Sequence, residues 1–372
     1  MINLLLKKYL IIMSVFFLIL SMIILTLSTK LNSNAVLDFF KGFLFLKSAI
    51  IYLLSLELLK HSLNRQTTKL KVKFNQCNYN NIEIKLLSLV CAFPFGLGVS
   101  SFLRGVSSEP LKTSDISQGT TASMLIFPTT LASAFLIDYF NITSLISVLI
   151  YGLPISFVMI ISLKSNSINN IIRSEILFTV VVLAIINACY MWTTSLIIES
   201  NFLFKQSLFF ILLSIYFYPL SLKKIHRIIY DAREQITFFL CIGLLGSSSI
   251  PLIKDLDLSY LDYFSNSNLI LFIPIVLIPI LSIFFIHPLV LFIILSPIIS
   301  PLLAEGGFTT IAIYCIWIVM LVNSQLLSPV SLNSILAAKN SQQNIFAASF
   351  LTHYSFCIKI SIVSALYFVI TK

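Results

Sequence analysis

The sequence predicts an all-α polytopic membrane protein with about ten transmembrane helices, and three observations predict it. Apolar residues make up 58% of the 372 and charged residues only 10%, whereas a soluble domain carries roughly 25% charged side chains. The mean hydropathy is +1.00, so there are too few charges to cover a water-facing surface. Apolar stretches near the ~20 residues that a spanning helix needs recur along the chain, without the period-two alternation of an outer-membrane barrel.

The stretches are 8–29, 42–59, 86–103, 118–138, 143–163, 176–198, 203–222, 236–253, 268–286, 289–304, 308–328 and 345–370. The first follows Lys7 and Lys8 in MINLLLKKYLIIMSVFFLILS. It is long enough to span and has no small-residue cleavage site after it, so it reads as a retained helix rather than a cleaved signal. Six scattered cysteines, Cys77, Cys91, Cys189, Cys241, Cys315 and Cys357, show no metal-ligand spacing and act as small hydrophobes. Neither a disulfide nor a metal site is expected, and no cofactor.

Charge sets the expected topology. The net charge of +10 gathers in short segments, which points to loops retained in the cytoplasm rather than to a nucleic-acid partner. Lys60, Arg65, Lys69, Lys71, Lys73 and Lys85 follow the second stretch against one acid, Glu83. Lys223, Lys224, Arg227 and Arg233 lie in KKIHRIIYDARE, read as a connection between two helices, while KDLDLSYLDYF carries three aspartates and suits the outside. The Ile, Leu, Phe, Asn and Lys-rich composition suits an AT-rich bacterial genome. The expected place is the bacterial inner (cytoplasmic) membrane, multi-pass, with the N-terminus in the cytoplasm.

Five crossings between the two basic segments would put them on opposite sides, so one stretch must not cross. LLSLVCAFPFGLGVSSFLRGVSSEPLK (86–112) carries Pro94, three glycines and two Ser-Ser pairs. Breakers at membrane depth are tolerated where backbone is buried in protein or lines a cavity, so 86–112 is expected to be a re-entrant hairpin entered from the cytoplasm. Residues 284–306, with Pro288, Pro297 and Pro301 after Pro274 and Pro279, predict a second hairpin or a broken helix, since each interior proline costs a helix about 3 kcal/mol.

Each suspected hairpin precedes a helix with a polar interruption and then one more helix. GTTASMLIFPTTLASAFLIDYF (119–140) and GFTTIAIYCIWIVMLVNSQLLSPVSLNSIL (307–336) both open on a Gly-Thr-Thr-like start and both reach a proline beside hydroxyls, Phe-Pro-Thr-Thr at 127–130 and Ser-Pro-Val-Ser at 328–331. Two membrane repeats follow, 1–163 and 164–372. Repeats with Gly/Pro-interrupted segments in matching places point to a secondary-transporter site, because a broken helix offers unpaired backbone groups and partial charges at the midplane.

This order, and the stretch HPLVLFIILSPIISPL with NSQLLSPVSLNS above all, resembles the ion transporter superfamily of secondary carriers, which covers dicarboxylate, citrate, gluconate and arsenite-type permeases. The resemblance implies an inverted-repeat fold and carries over no substrate; the expected function is alternating-access transport of a small solute, an organic anion, with H+ or Na+ as the coupling ion. Ten glycines are few for closely packed hairpins.

Candidate substrate-binding residues are the uncharged polar groups inside apolar helices: Thr120, Thr121, Thr129, Thr130, Asn323, Ser324, Gln325, Ser328, Ser331 and Asn333. Ordinary helix–helix hydrogen bonding is the plainer role for each. Arg104 and Glu109 flank the RGVSSEP turn as charge partners, unless both snorkel to the interface. His287, beside Pro288, is a coupling candidate because imidazole titrates near neutrality, or else a helix cap. Nucleotide loops, HExxH and serine elbows are absent from the sequence. The expected partners are the lipid bilayer and a small-molecule substrate, with room for a homodimer. A competing reading is a membrane-embedded enzyme, polymerase or flippase of surface glycan assembly. Such proteins need a sizeable outer loop with catalytic arginines or acids, and 254–267 is short and has no arginine.

Overall fold

The computed structural model describes residues 2–31, 35–64, 79–95, 103, 110–127, 130–142, 144–161, 175–197, 201–217, 221–254 and 268–372. Every regular element among them is helical. The chain opens with α1 (Ile2–Leu31) and α2 (Ala35–Asn64), followed by α3 (Asn81–Phe95), α4 (Pro110–Ile126), α5 (Leu131–Tyr139) and α6 (Leu145–Ile161). Next come α7 (Glu175–Ile197), α8 (Phe202–Phe217) and α9 (Leu222–Lys254). A 3₁₀ turn (Asn268–Leu271) and a π turn (Ile273–Leu277) lead into α10 (Ile278–Ile283), then α11 (Pro288–Glu305), α12 (Thr310–Leu327), α13 (Leu332–Ser341), a second π turn (Ala347–Leu351) and α14 (Thr352–Ile370).

Four helices among the described residues are long and apolar enough to cross a membrane: 11–28 in α1, α11, α12 and the continuous stretch 347–370. α12 is the axis of the core. It is apolar on every face, which suits a helix surrounded by others, and residues 312–324 are all buried. It packs against α4, α6, α10, α11 and α14. Outer helices instead present apolar side chains outward, such as Ile12 and Met22 on α1, Phe178 and Ile185 on α7. An exposed apolar surface that extensive belongs against lipid rather than water.

Four sequence expectations change. KKIHRIIYDARE is not a connection: it forms the first turns of α9, whose 33 residues reach about 50 Å at 1.5 Å each. Residues 284–306 are not broken in the middle, because α11 runs unbroken through Pro297 and Pro301. Those prolines stand four apart and so share one face, while the reversal falls earlier, at 284–287, where Phe285 adopts φ 64°. Pro288 at the first helical position suits a helix start, and His287 caps it by accepting from the Leu289 N–H at 3.3 Å. Lys85 is not a loop residue but lies in the second turn of α3. Asn80 and Glu83 explain why: the Asn80 side chain accepts from Glu83 N and the Glu83 carboxylate from Asn80 N, both at 2.9 Å. This reciprocal cap starts the helix ahead of the lysine. Of the expected hairpin at 86–112, residues 96–102 and 104–109, with Arg104 and Glu109, lie outside the described residues.

The fourth change concerns which residues correspond. The Gly-Thr-Thr starts do not match, since Gly119 sits inside α4 and Gly307 precedes α12. The proline-hydroxyl turns do match, and each feature of the first set has a counterpart 201 positions later. Phe127 N donates to Ser123 O (2.7 Å), as Ser328 N does to Ser324 O (2.9 Å). Thr130 caps α5 as Ser331 caps α13. Ser156 Oγ meets Ala122 O at 3.0 Å, and Cys357 Sγ meets Asn323 O at 3.9 Å. Asn141 (φ 51°) and Gln342 (φ 55°) are both left-handed.

Side chains also fix how the neighbouring helices run. Lys85 faces Asp115 across 3.7 Å and Phe93 faces Phe127 at 4.0 Å between ring centroids, so α3 and α4 run parallel. Further on, Ser282 Oγ donates to Ser324 O (3.3 Å) and Ser328 Oγ to Ile286 O (3.5 Å). The segment ending in α10 therefore runs parallel to α12, and the 284–287 reversal lies level with the 328–331 turn. Two glycines sit where helices touch: a Cβ on Gly119 would collide with the Lys85 carbonyl, and one on Gly152 with that of Leu125. Small residues at such crossings let backbones approach.

Candidate functional site

The two interrupted helices, α4–α5 and α12–α13, carry most of the buried polar groups that the sequence singles out. At the first turn Thr130 leaves the helix in an extended conformation (φ −84°, ψ 154°). Its Oγ1 accepts from Ser133 N at 3.3 Å and lies 2.7 Å from Ser133 Oγ. At the second turn Ser331 has the same shape (φ −67°, ψ 145°), accepts from Ser334 N at 3.1 Å and lies 3.0 Å from Ser334 Oγ. A hydroxyl at the cap satisfies one of the donors that a new helix start leaves unpaired. Thr129, and Pro128 before it, lie outside the described residues.

Around the second turn the polar groups form a chain. Ser331 Oγ donates to Gln325 O (2.6 Å), Asn333 Nδ2 to Gln325 Oε1 (3.3 Å), and Asn323 Nδ2 to Ser361 Oγ (3.0 Å), which itself donates to Ile275 O (3.2 Å). Ser324 Oγ meets the Met320 sulfur at 3.4 Å. Asn323 Oδ1 is buried and has no hydrogen-bond partner among the described residues. Around the first turn the hydroxyls bond back to their own helix, Thr120 to Ile116 O (2.7 Å) and Thr121 to Ser117 O and Gln118 O (3.0 Å each). α5 packs against α12 and α13 against α4, so the second half of each interrupted helix lies on the first half of the other. His287 follows Ile286, which accepts from Ser328 at the second turn, and its ring lies edge-on to Phe238 and Phe239.

Sequence reasoning missed an ionic group between α3 and α4. Lys85 and Asp115 side chains are 1% and 7% exposed and 3.7 Å apart, a Coulombic pair rather than a hydrogen bond. The Lys85 ammonium lies 5.1 Å over the Phe356 ring. One turn along α4, Gln118 Nε2 meets His353 Nδ1 of α14 at 3.1 Å. Lys85 Nζ and Asp115 Oδ2 make no hydrogen bond among the described residues. The signal that could have found Lys85 is the Asn80–Glu83 cap, which turns a basic loop residue into a helical one.

A second polar group gathers around the end of α5. Asp138 accepts from Phe202 N (2.9 Å) and Leu203 N (3.2 Å) with separate carboxylate oxygens, closing the start of α8. A carboxylate at a helix start is stabilised by the unpaired N–H groups there. Beside it opens a cavity of about 890 Å³ whose wall runs from Asn141 and Asn201 to Phe93 and Phe127.

No family model and no curated protein matches. Among solved structures the chain is similar to Neisseria gonorrhoeae MtrF, which illuminates a class of antimetabolite efflux pumps, at 14% identity and a TM-score of 0.41, over 98% of this chain and 94% of that one.

Proposed function

We propose that this protein is a secondary transporter that moves a small solute, an organic anion, across the bacterial inner membrane by alternating access. The observation that carries the proposal is the pair of hydroxyl-capped helix breaks 201 residues apart, each half-helix packed on the opposite unit. Interrupted helices at matching places in two repeats are how such carriers expose backbone groups at the membrane midplane without burying a full charge. Two repeats of opposite orientation, with hairpins ending level with the breaks, account for the parallel runs of α3 with α4 and of α10 with α12.

The charge distribution supports the same topology. If α3 enters and returns on one side, four crossings (α4–α5, α6, α7 and α8) separate the basic segment after α2 from the basic start of α9. Both then face the cytoplasm, as the lysine and arginine bias requires. α9 is longer than the ~30 Å hydrocarbon core, and its exposed His226, Arg227 and Arg233 belong to the part that projects into the cytoplasm. In this reading Lys85 and Asp115 supply a charge pair that a coupling proton or sodium ion can open.

Inside-out and right-side-out vesicles from cells with and without the protein test the proposal, by comparing their small-molecule contents after incubation in cell extract. Thr130→Val and Ser331→Ala should abolish any difference that the wild type produces while the protein still inserts at wild-type levels. The transporter reading fails if no solute distributes differently, or if both variants act as the wild type does.

A further inference from the structure

The cavity beside Asp138 is bounded by Phe93 at the end of α3, Phe127 at the first helix break, residues 137–142 at the end of α5, the first turns of α6, residues 187–192 of α7 and the first turns of α8. Its floor is the Phe93–Phe127 contact, so it ends at one of the two helix breaks. Its volume, about 890 Å³, falls within the ~300–1,000 Å³ of sites that enclose a small organic ligand.

Two wall residues need a partner. Gln206 is fully buried, and neither its amide nitrogen nor its oxygen has a hydrogen bond among the described residues. Asn187 is 1% exposed; its nitrogen reaches Phe93 O at 3.5 Å and its oxygen reaches nothing there. A buried amide without partners is costly, so a fold does not keep one in a wall for packing alone. Leu would fill the same space at no such cost.

Charge narrows the choice of ligand. The wall holds two charged side chains, Asp138 and Lys205. Both oxygens of Asp138 are engaged by the first N–H groups of α8, which offset part of its charge. Lys205 lies within Coulombic reach of Asp138 but forms no ion pair with it, so its ammonium can also meet an incoming anion. Trp192, Met191 and the two floor phenylalanines supply flat or polarisable apolar surface.

We infer that this cavity is a binding site for an aromatic monocarboxylate, its ring against Phe93, Phe127 and Trp192 and its carboxylate held by the amide N–H groups of Gln206 and the ammonium of Lys205. The inference rests on the transporter reading for its purpose but not for its test, which is equilibrium binding. The chain has two tryptophans; Trp192, 68% exposed, lines the cavity, whereas Trp317 is fully buried in the core. Trp192 is therefore a built-in reporter.

The probe is phenylacetate, added to the purified full-length protein in lipid nanodiscs, with tryptophan emission as the readout. The expected result is saturable quenching that Trp192→Phe abolishes and that Gln206→Leu and Lys205→Met each weaken at least tenfold. The neutral amide 2-phenylacetamide should bind at least tenfold more weakly than phenylacetate. Gln206→Leu should also raise the melting temperature of the unliganded protein, since it removes an unpartnered amide; a merely structural glutamine would lower it. Asn187→Leu serves as a second variant if Gln206→Leu fails to assemble. Absence of saturable quenching, equal binding of acid and amide, or stronger competition by oleate than by phenylacetate would overturn the assignment, the last marking a lipid seat. Binding without vesicle transport would refute the transporter reading and leave this site standing. Transport with phenylacetate affinity unchanged in Gln206→Leu would do the reverse.

Discussion

Removing the lysine of the Lys85–Asp115 pair should cost far more than removing both charges together. At 3.7 Å two unit charges attract by about 4 kcal/mol at an effective dielectric of about 20. That gain offsets the desolvation of two nearly buried groups. Lys85→Met keeps most of the aliphatic stem but removes the ammonium over Phe356 and strands a buried carboxylate, and breaking a buried pair in this way costs about 3–5 kcal/mol. Asp115→Leu strands the ammonium and should cost a similar amount. The double variant leaves two apolar side chains of suitable volume, and such replacements are often neutral or stabilising by about 1–4 kcal/mol. The assay is equilibrium unfolding in mixed micelles for the wild type, both single variants and the double, treated as a cycle. The expected coupling is about 3 kcal/mol or more, with the double variant close to the wild type. Coupling below about 0.5 kcal/mol, the level of exposed pairs, would refute the reasoning, because it would mean that water reaches the pair.

Two further outcomes follow from the packing and the charge pattern. Gly152→Val should separate α6 from the Leu125 carbonyl that a side chain there would strike and destabilise the protein by about 1–3 kcal/mol or more, read in the same unfolding assay; a neutral result would mean that the two helices are not in register. Lys71→Cys and Lys224→Cys should both resist a membrane-impermeant thiol reagent in intact cells, and labelling of one but not the other would place the two basic segments on opposite sides.

Element existence was legible wherever an apolar run was continuous, as in 143–163 against α6 and 176–198 against α7. The interruptions at 127–130 and 328–331 were legible too, since a proline beside hydroxyls marks a place where the chain leaves the helix. What the sequence hid depends on pairing across long separations. Lys85 reads as a loop charge until the Asn80–Glu83 cap is recognised. Its partner Asp115 lies in a stretch too polar to look like a span, yet α4 is buried there because α3, α12 and α13 cover it. Gln206 and Asn187 look like ordinary helical amides, and only the fold shows that neither finds a full set of partners. The prolines of α11 misled in the other direction: they predicted a hairpin or a broken helix within 284–306, but α11, packed on α9 and α12, continues through Pro297 and Pro301, and the chain reversed at 284–287.

The reciprocal packing of the interrupted helices links the two turns mechanically. α5 begins at the Thr130 cap and lies on α12; α13 begins at the Ser331 cap and lies on α4. Interiors are close-packed and repack between discrete arrangements instead of deforming continuously, so a displacement of α5 must be taken up by α12 and hence by the turn after it. The Lys85–Asp115 pair holds the other long face of α4 to α3, and Gln118 holds it to α14 through His353. On the transporter reading, an ion or proton that opened this group would loosen α4 from α3 and α14 without touching the Gly152 contact. A rocking motion would then pivot where the helices approach most closely, at Leu125 and Gly152, one turn before the first break.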